Sequence, residues 1–154
     1  MAEYQIIVLY LQAQFQFNGT NMFIYDCTIN FHHADPAGVL FFGNIFFMAH
    51  DAYEALLRSF RMERNYFNDE ELILPIVHTE ANYYAVIKPG DELNVVIKAT
   101  SIKSTSFELT YEFIDLQNNI RAIVKTVHVL VRKEDFQKTE LTAELLIGLQ
   151  SIQG

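Results

Sequence analysis

The sequence predicts an α+β fold in which an antiparallel sheet curls around one long helix held in its concave face. Three observations predict it. One apolar helical stretch, 44–60, follows a single strand and precedes four strand-like runs. The runs are separated by short turns of the kind that join antiparallel neighbours. The helical stretch also lacks the wide polar face of a surface helix, so something must cover it. One strand, one buried helix and four successive strands have few compact solutions, and a sheet wrapped round the helix is the simplest.

Residues 1–21 include the apolar run YQIIVLYLQAQFQF and are expected to form an extra strand or arm ahead of a single domain over 22–154. The run is too short to span a bilayer and lacks the basic residues of an export signal, since the first Lys or Arg is Arg58. MFIYDCTIN, 22–30, mixes β-branched and aromatic residues and reads as a strand entering the loop HHADPAG. The period then changes. NIFFMAHDAYEALLRSF, 44–60, contains no strand breaker and is apolar nearly all round, with Ile45, Phe46, Met48, Ala49, Ala52, Tyr53, Leu56, Leu57 and Phe60. A polar segment, RMERNYFNDEE, leads to Pro75.

The four strand-like runs are ILPIVHTEANYYAVI, ELNVVIKATSI, TSFELTYEFID and RAIVKTVHVLVR, with Lys88-Pro89-Gly90-Asp91 and Gln117-Asn118-Asn119 as turns. The third run alternates, with Phe107, Leu109, Tyr111 and Phe113 on one face and Ser106, Glu108, Thr110 and Glu112 on the other. That is the pattern of a half-buried antiparallel strand. Thr142 is placed to cap a final helix through Leu149, with Glu144 favoured by the dipole of its first turn.

At 154 residues the chain is long enough for one core and too short for two ordinary ones. Apolar residues make up 51% of it, so part of that surface is expected to lie between subunits. A net charge of −8 with no cluster of Lys and Arg excludes a groove for nucleic acid. The lone cysteine, Cys27, forms no internal disulfide, which fits a cytoplasmic home. His32, His33, His50, His78 and His128 have no metal-ligand spacing, so no metal is expected. Gly-x-Ser-x-Gly and Gly-rich phosphate loops are absent, which disfavours a serine-hydrolase elbow and P-loop chemistry.

Residues 31–44 read FHHADPAGVLFFGN. Asp35-Pro36-Ala37-Gly38-Val39, followed by Phe41-Phe42 and Asn44, resembles the signature of the 4-hydroxybenzoyl-CoA thioesterase family, which has the hot-dog fold. The resemblance extends from 22 to 132 and includes His50-Asp51-Ala52-Tyr53-Glu54, Leu74-Pro75-Ile76-Val77-His78 and Lys88-Pro89-Gly90-Asp91. Within the family these phrases are most similar to those of the 1,4-dihydroxy-2-naphthoyl-CoA thioesterases of menaquinone synthesis. The resemblance implies hydrolysis of an aromatic or short-chain acyl-CoA, with the CoA thioester as substrate, no cofactor and no membrane partner. It also implies a homodimer or homotetramer with each site between subunits.

Thioester hydrolysis needs a carboxylate to attack the carbonyl or activate water, and donors where negative charge develops on the oxygen. Asp35 is the candidate carboxylate, as nucleophile or general base. Pro36 and Gly38 are suited to folding the loop tightly so that Asp35 lies by the free N–H groups of the helix start. The resemblance makes the backbone N–H of Phe42 the oxyanion donor and places Gly38, Val39, His33 and Glu54 around the substrate. His33 departs from the family, which often has an acidic residue there; an imidazole would either hold the loop or raise the local positive potential. The plain alternative is that Asp35 only satisfies a turn. Glu54 has a second reading as a carboxylate bonded to neighbouring strands, and Tyr83 is expected to pack in the core. Phe41, Phe42, Phe46 and Phe47 offer planar apolar surface for an acyl group. Lys88, Lys98, Lys103, Lys125 and Arg132 are candidates for the CoA phosphates. Two rivals remain: a dehydratase of the same fold using His33 or His50 as base, and a non-catalytic acyl-CoA-binding protein.

Overall fold

The computed structural model describes residues 22–154, so the expected arm over 1–21 lies outside the described residues. The chain runs β1 (Phe23–Thr28), a 3-10 turn (Phe31–His33), α1 (Asn44–Ser59), β2 (Leu72–Ile73), β3 (Ile76–Tyr83), β4 (Glu92–Ile102), β5 (Ser106–Asp115), β6 (Ile120–Val129), β7 (Val131–Arg132) and α2 (Ala143–Gln150). Five strands form one sheet in the order β1-β4-β5-β6-β3, antiparallel throughout, while β2 and β7 pair as a separate ribbon.

The helix is seated by the periodicity of its sequence. Ile45, Met48, Ala49, Ala52, Tyr53, Leu56 and Leu57 form one buried face, and it meets the inward residues Phe107, Leu109, Tyr111 and Phe113 of β5 in a common core. Full burial of each such aromatic or aliphatic side chain stabilises by about 1.5–3 kcal/mol. The sheet curls against this face, as expected, and leaves part of the opposite face in solvent. Phe47 is 72% exposed and Phe42, just ahead of the helix, 66%. A single sheet reaches only one face of the helix.

Two runs also end earlier than their composition implies. Tyr84 to Ile87 leave the sheet because the N–H groups of Tyr84 and Ala85 both converge on the Arg121 carbonyl, at 2.9 and 3.2 Å, which ends the ladder. The last run breaks at Leu130, whose N–H turns to the Thr105 carbonyl at 2.9 Å, and Val131–Arg132 then pairs with β2. The remaining elements agree with the sequence, including the Thr142 side chain accepting from the Leu145 N–H.

The turn 88–91 anchors the loop ahead of α1. Gly90 has φ +91 and the Asp91 N–H reaches the Lys88 carbonyl at 3.1 Å, as a type II turn with Pro89 second requires. Ile29 donates to the Asp91 carbonyl at 2.9 Å and accepts from Gly90 at 2.8 Å, while the Leu40 N–H reaches the Ile87 carbonyl at 2.8 Å. Both ends of the segment 29–40 are thus sewn to one edge of the turn.

The core holds one polar group with unusual consequences. His128 is fully buried, stacked on Phe107 at 4.8 Å and tilted against Tyr53 at 4.4 Å. Its Nε2 lies 2.8 Å from the Thr126 hydroxyl, which in turn lies 3.2 Å from the Tyr111 hydroxyl. Burial, reinforced by repulsion from His50, pushes the imidazole pKa down to about 3 from its ordinary 6.5. Between those values the unfolded chain binds the proton and the folded chain does not, so stability falls as pH falls through that window. We expect the melting temperature to drop from about pH 6.5 toward about pH 4, and His128→Gln to flatten that slope. A slope unchanged in the variant, measured by thermal unfolding across the same buffers, would assign the acid sensitivity elsewhere.

Candidate active site

The loop ahead of α1 is a tight hairpin written by its own residues. Ala34 and Leu40 face each other in an antiparallel bridge, and the Asp35 N–H reaches the Val39 carbonyl at 2.8 Å. The Gly38 N–H bonds the Asp35 carbonyl at 2.9 Å, closing a turn with Pro36 in its second position. Gly38 follows with φ +76 and open space where a Cβ would stand. A turn succeeded by one left-handed residue is a common three-residue hairpin loop, and glycine enters that region without steric cost.

Asp35 begins this turn and uses one carboxylate oxygen in it: Oδ1 accepts from the Ala37 N–H at 2.8 Å. The turn role foreseen as the plain alternative is therefore real. It consumes one oxygen, and Oδ2 has no hydrogen-bond donor among the described residues.

The His33 carbonyl joins the hairpin to the helix. It accepts from the Phe41 N–H at 2.9 Å and from the Asn44 side-chain amide at 2.9 Å. The ring of His33 faces backward, with Nδ1 accepting from the Asn30 N–H at 3.0 Å. That bond needs an unprotonated Nδ1, which places the proton of the neutral ring on Nε2. Partial burial and the neighbouring His32 hold the His33 pKa below the ordinary imidazole value. Of the two roles foreseen for the imidazole, the structure supports holding the loop. A neutral ring adds no positive potential.

At the helix start, the Asn44 N–H bonds the Phe41 carbonyl at 2.9 Å and the Tyr83 hydroxyl bonds the Phe42 carbonyl at 2.8 Å. The N–H groups of Phe42 and Gly43 have no acceptor among the described residues. Unbonded N–H groups just ahead of a helix start, with the positive end of the helix dipole behind them, are ready donors to an anion. Carboxylate and amide donors therefore share one hairpin-helix junction.

The fold thus brings Asp35, Gly38, Val39, His33 and Phe42 together and leaves Glu54 apart. Glu54 lies ten residues beyond Asn44, about 15 Å along the helix axis at 1.5 Å per residue. Its carboxylate pairs with His50 at 3.6 Å and Arg58 at 3.0 Å, partners on its own helix rather than on neighbouring strands. Tyr83 corrects the expectation of core packing, being 44% exposed with its hydroxyl committed to Phe42. Its tie to the loop joins residues 41 positions apart and has no local signal in sequence. Asn44 was visible in sequence, but its clamp on His33 was not. Burial pushes the Cys27 thiol up to about 11, which leaves it a packing group rather than a nucleophile.

Of the five candidate cations, Lys98 pairs with Glu112 at 3.4 Å, Lys125 with Glu80 at 3.5 Å and Arg132 with Asp135 at 2.6 Å. Lys88 and Lys103 have no ion pair among the described residues. A concavity beside the segment after α1 is lined by Glu63, Asp69, Glu70, Glu71 and Glu144 against Arg64. Its negative walls repel a phosphorylated ligand, so the hairpin-helix junction is the better candidate despite being open to solvent.

Comparison with known proteins bears on the family and the fold. The profile of the thioesterase-like superfamily matches residues 29–149. A 1,4-dihydroxy-2-naphthoyl-CoA hydrolase from Rippkaea orientalis is 32% identical over 132 residues, covering 84% of this chain and 96% of its own. One of the same name from Synechococcus elongatus is 32% identical over 124 residues, covering 79% and 90%. The crystal structure of a 1,4-dihydroxy-2-naphthoyl-CoA thioesterase from Synechocystis superposes with a TM-score of 0.78 at 26% identity, covering 84% of this chain and 96% of that one.

The clamp on His33 makes a first prediction at the site. Asn44→Ala removes one of two donors to that carbonyl and is expected to cost about 0.5–1.5 kcal/mol in urea unfolding. Stability equal to the parent would mean that the Phe41 N–H holds the loop unaided.

Proposed function

Because the chain belongs to the thioesterase-like superfamily, we propose that the hairpin-helix junction is its active site, with Asp35 as the catalytic carboxylate and the Phe42 N–H as oxyanion donor. The protein is a thioester hydrolase of hot-dog fold acting on acyl-CoA. The observation that carries the site is the half-used carboxylate: Oδ1 fixed by the Ala37 N–H, Oδ2 open, beside a helix start with unspent N–H groups. Oxygen adds to the thioester carbonyl, either from water that gives its proton to Asp35 or from Asp35 itself. Charge accumulates on the carbonyl oxygen, where the amide receives it. The C–S bond then breaks, the CoA sulfur leaves as thiolate and takes a proton, and the acyl group departs as its free acid; the direct route adds hydrolysis of an anhydride at Asp35.

Our substrate proposal is 1,4-dihydroxy-2-naphthoyl-CoA, the compound named for the relatives, or another aromatic acyl-CoA. The exposed rings of Phe41, Phe42 and Phe47 beside the hairpin supply planar apolar surface for such an acyl group. Gly38 and Val39 contribute the backbone of the hairpin tip, and of the five candidate cations Lys88 and Lys103, without an ion pair among the described residues, are placed against the CoA phosphates. Glu54 has no part in this reading, because its carboxylate is held on its own helix.

A partner subunit completes the site in this reading. The outer edge of β3 is unpaired within the sheet, and Ile76, Val77 and Tyr83 on it are exposed, as are Tyr84 and Val86 just beyond. An open edge carrying apolar side chains is a template for another strand, and a second copy covering it would also enclose Phe42 and Phe47.

Asp35→Asn keeps the size and most of the turn bonding while removing the charge. Its turnover is expected to fall at least about 100-fold with little change in melting temperature, followed as free thiol released from a panel of acyl-CoAs. Near-parental turnover, with the amide verified intact, defeats the assignment. Thiol release also separates hydrolysis from a dehydratase or a binding protein. For the edge, Val77→Lys is expected to shift sedimentation toward a single chain and to lower activity with it. An unshifted oligomer would place the subunit contact on another surface.

A further inference from the structure

The hydroxyl of Tyr83 makes a contact that neither packing nor the Asp35 chemistry accounts for. Tyr83 ends β3, where it faces Ala122 across the ladder, and its ring is 44% exposed. Its O–H crosses to the first turn ahead of α1 and donates to the Phe42 carbonyl at 2.8 Å. Partial burial holds the phenol pKa above its ordinary 10.0, so the group is a donor at neutral and mildly alkaline pH.

A peptide unit is planar and trans, so fixing its carbonyl fixes the direction of the N–H on the other side. The Phe41 carbonyl is held by the Asn44 N–H at 2.9 Å, which aims the Phe42 N–H away from the helix. The Phe42 carbonyl is held by Tyr83, which aims the Gly43 N–H in the same manner. Neither N–H has an acceptor among the described residues. The Phe41 ring lies against Gly43 so closely that a Cβ there would stand 2.9 Å from its Cε1, which screens this peptide from water on one side. Hydrogen bonding at a carbonyl polarises its peptide and strengthens the N–H opposite, more so where water is excluded.

We propose that Tyr83 is a positioning residue for thioester hydrolysis, its hydroxyl orienting and polarising the Phe42–Gly43 peptide so that the Gly43 N–H acts as a second oxyanion donor beside that of Phe42. This rests on the reading of Asp35 and the helix start as the active site. The bond ties an edge strand to the catalytic turn, so the donor pair depends on where β3 lies. Loss of the hydroxyl acts on the charged transition state more than on the bound thioester, whose carbonyl carries less charge.

Tyr83→Phe tests this because it keeps the ring and removes only the O–H. Loss of a direct oxyanion donor costs 10²–10³ in rate, so a group one bond removed is expected to cost kcat roughly 10-fold, with KM changed less than about twofold. Phe42–Gly43 is the only Phe-Gly step in the chain. Labelling Phe at the carbonyl carbon and Gly at nitrogen therefore yields one H–N–C′ correlation peak for this peptide, which is expected to move upfield in both carbon and amide proton while the melting temperature holds. An unchanged kcat beside an inactive Asp35→Asn overturns the role of Tyr83 and leaves that of Asp35 standing. A lower kcat with the peak unmoved, or with the melting temperature falling in step, overturns it as well, since either marks a structural role. Full activity in Asp35→Asn removes the site and this proposal with it.

Discussion

The geometry of the junction depends on one acceptor, the carbonyl of His33. Two donors from the far side of the loop, the Phe41 N–H and the Asn44 amide, meet on it. Between them runs a hairpin whose tip is shaped by Pro36 and Gly38 and whose first residue is Asp35. Without that convergence the carboxylate and the helix start would be two exposed features on a flexible segment. With it they form one turn, and in our reading of the site the order needed to hold reacting groups together is spent in folding rather than at each encounter with substrate. The imidazole of His33 adds a backward tie to Asn30, so the residue acts through its carbonyl on one side and its ring on the other.

The sheet supports the junction from beneath and leaves it open above. Inward residues of β4, β5 and β6 bury one face of α1, while Phe42 and Phe47 stand in solvent and β3 leaves its outer edge unpaired. The same edge carries Tyr83, which reaches back to the Phe42 carbonyl. An apolar surface bordered by an open strand is costly to leave bare in water, and a strand-forming partner relieves both costs together. In our reading the incomplete burial of one chain and the incomplete enclosure of one site have the same remedy.

Electrostatics divides the molecule. Asp115 is held below its ordinary carboxylate value, chiefly by the Asn119 N–H, as it closes the β5–β6 turn. Asp69 is lowered similarly by the N–H groups of Leu72 and Glu71 and by Arg64, in the acid-lined segment after α1. These charges are consumed in turns and ion pairs. In the core, neutrality is enforced instead, through a buried His128 that stays unprotonated among aromatic rings. Asp35 commits one carboxylate oxygen to its turn.

The sequence alone determined what depends on neighbours along the chain. The helix over 44–60, the alternation of β5, the turns at Gly90 and Asn118 and the bend at Gly38 follow from side-chain period and from φ values that few residues adopt, so each was legible residue by residue. The turn at Asp35 was legible too, because an aspartate ahead of Pro-Ala-Gly is a local pattern, and the function we propose for it came from the family resemblance. Tertiary structure decided which candidates meet. Glu54 shares the helix but is directed to Arg58 and His50, and the strand reading of Tyr84–Ile87 failed because Arg121, distant in sequence, captures two of its N–H groups. The Asn44 clamp and the Tyr83 bond span 11 and 41 residues, and only the antiparallel register of the sheet and the path of the hairpin bring those groups within hydrogen-bond reach. A hydrogen bond acts over about 3 Å whatever the separation along the chain, and a pattern read along the chain carries no measure of that distance.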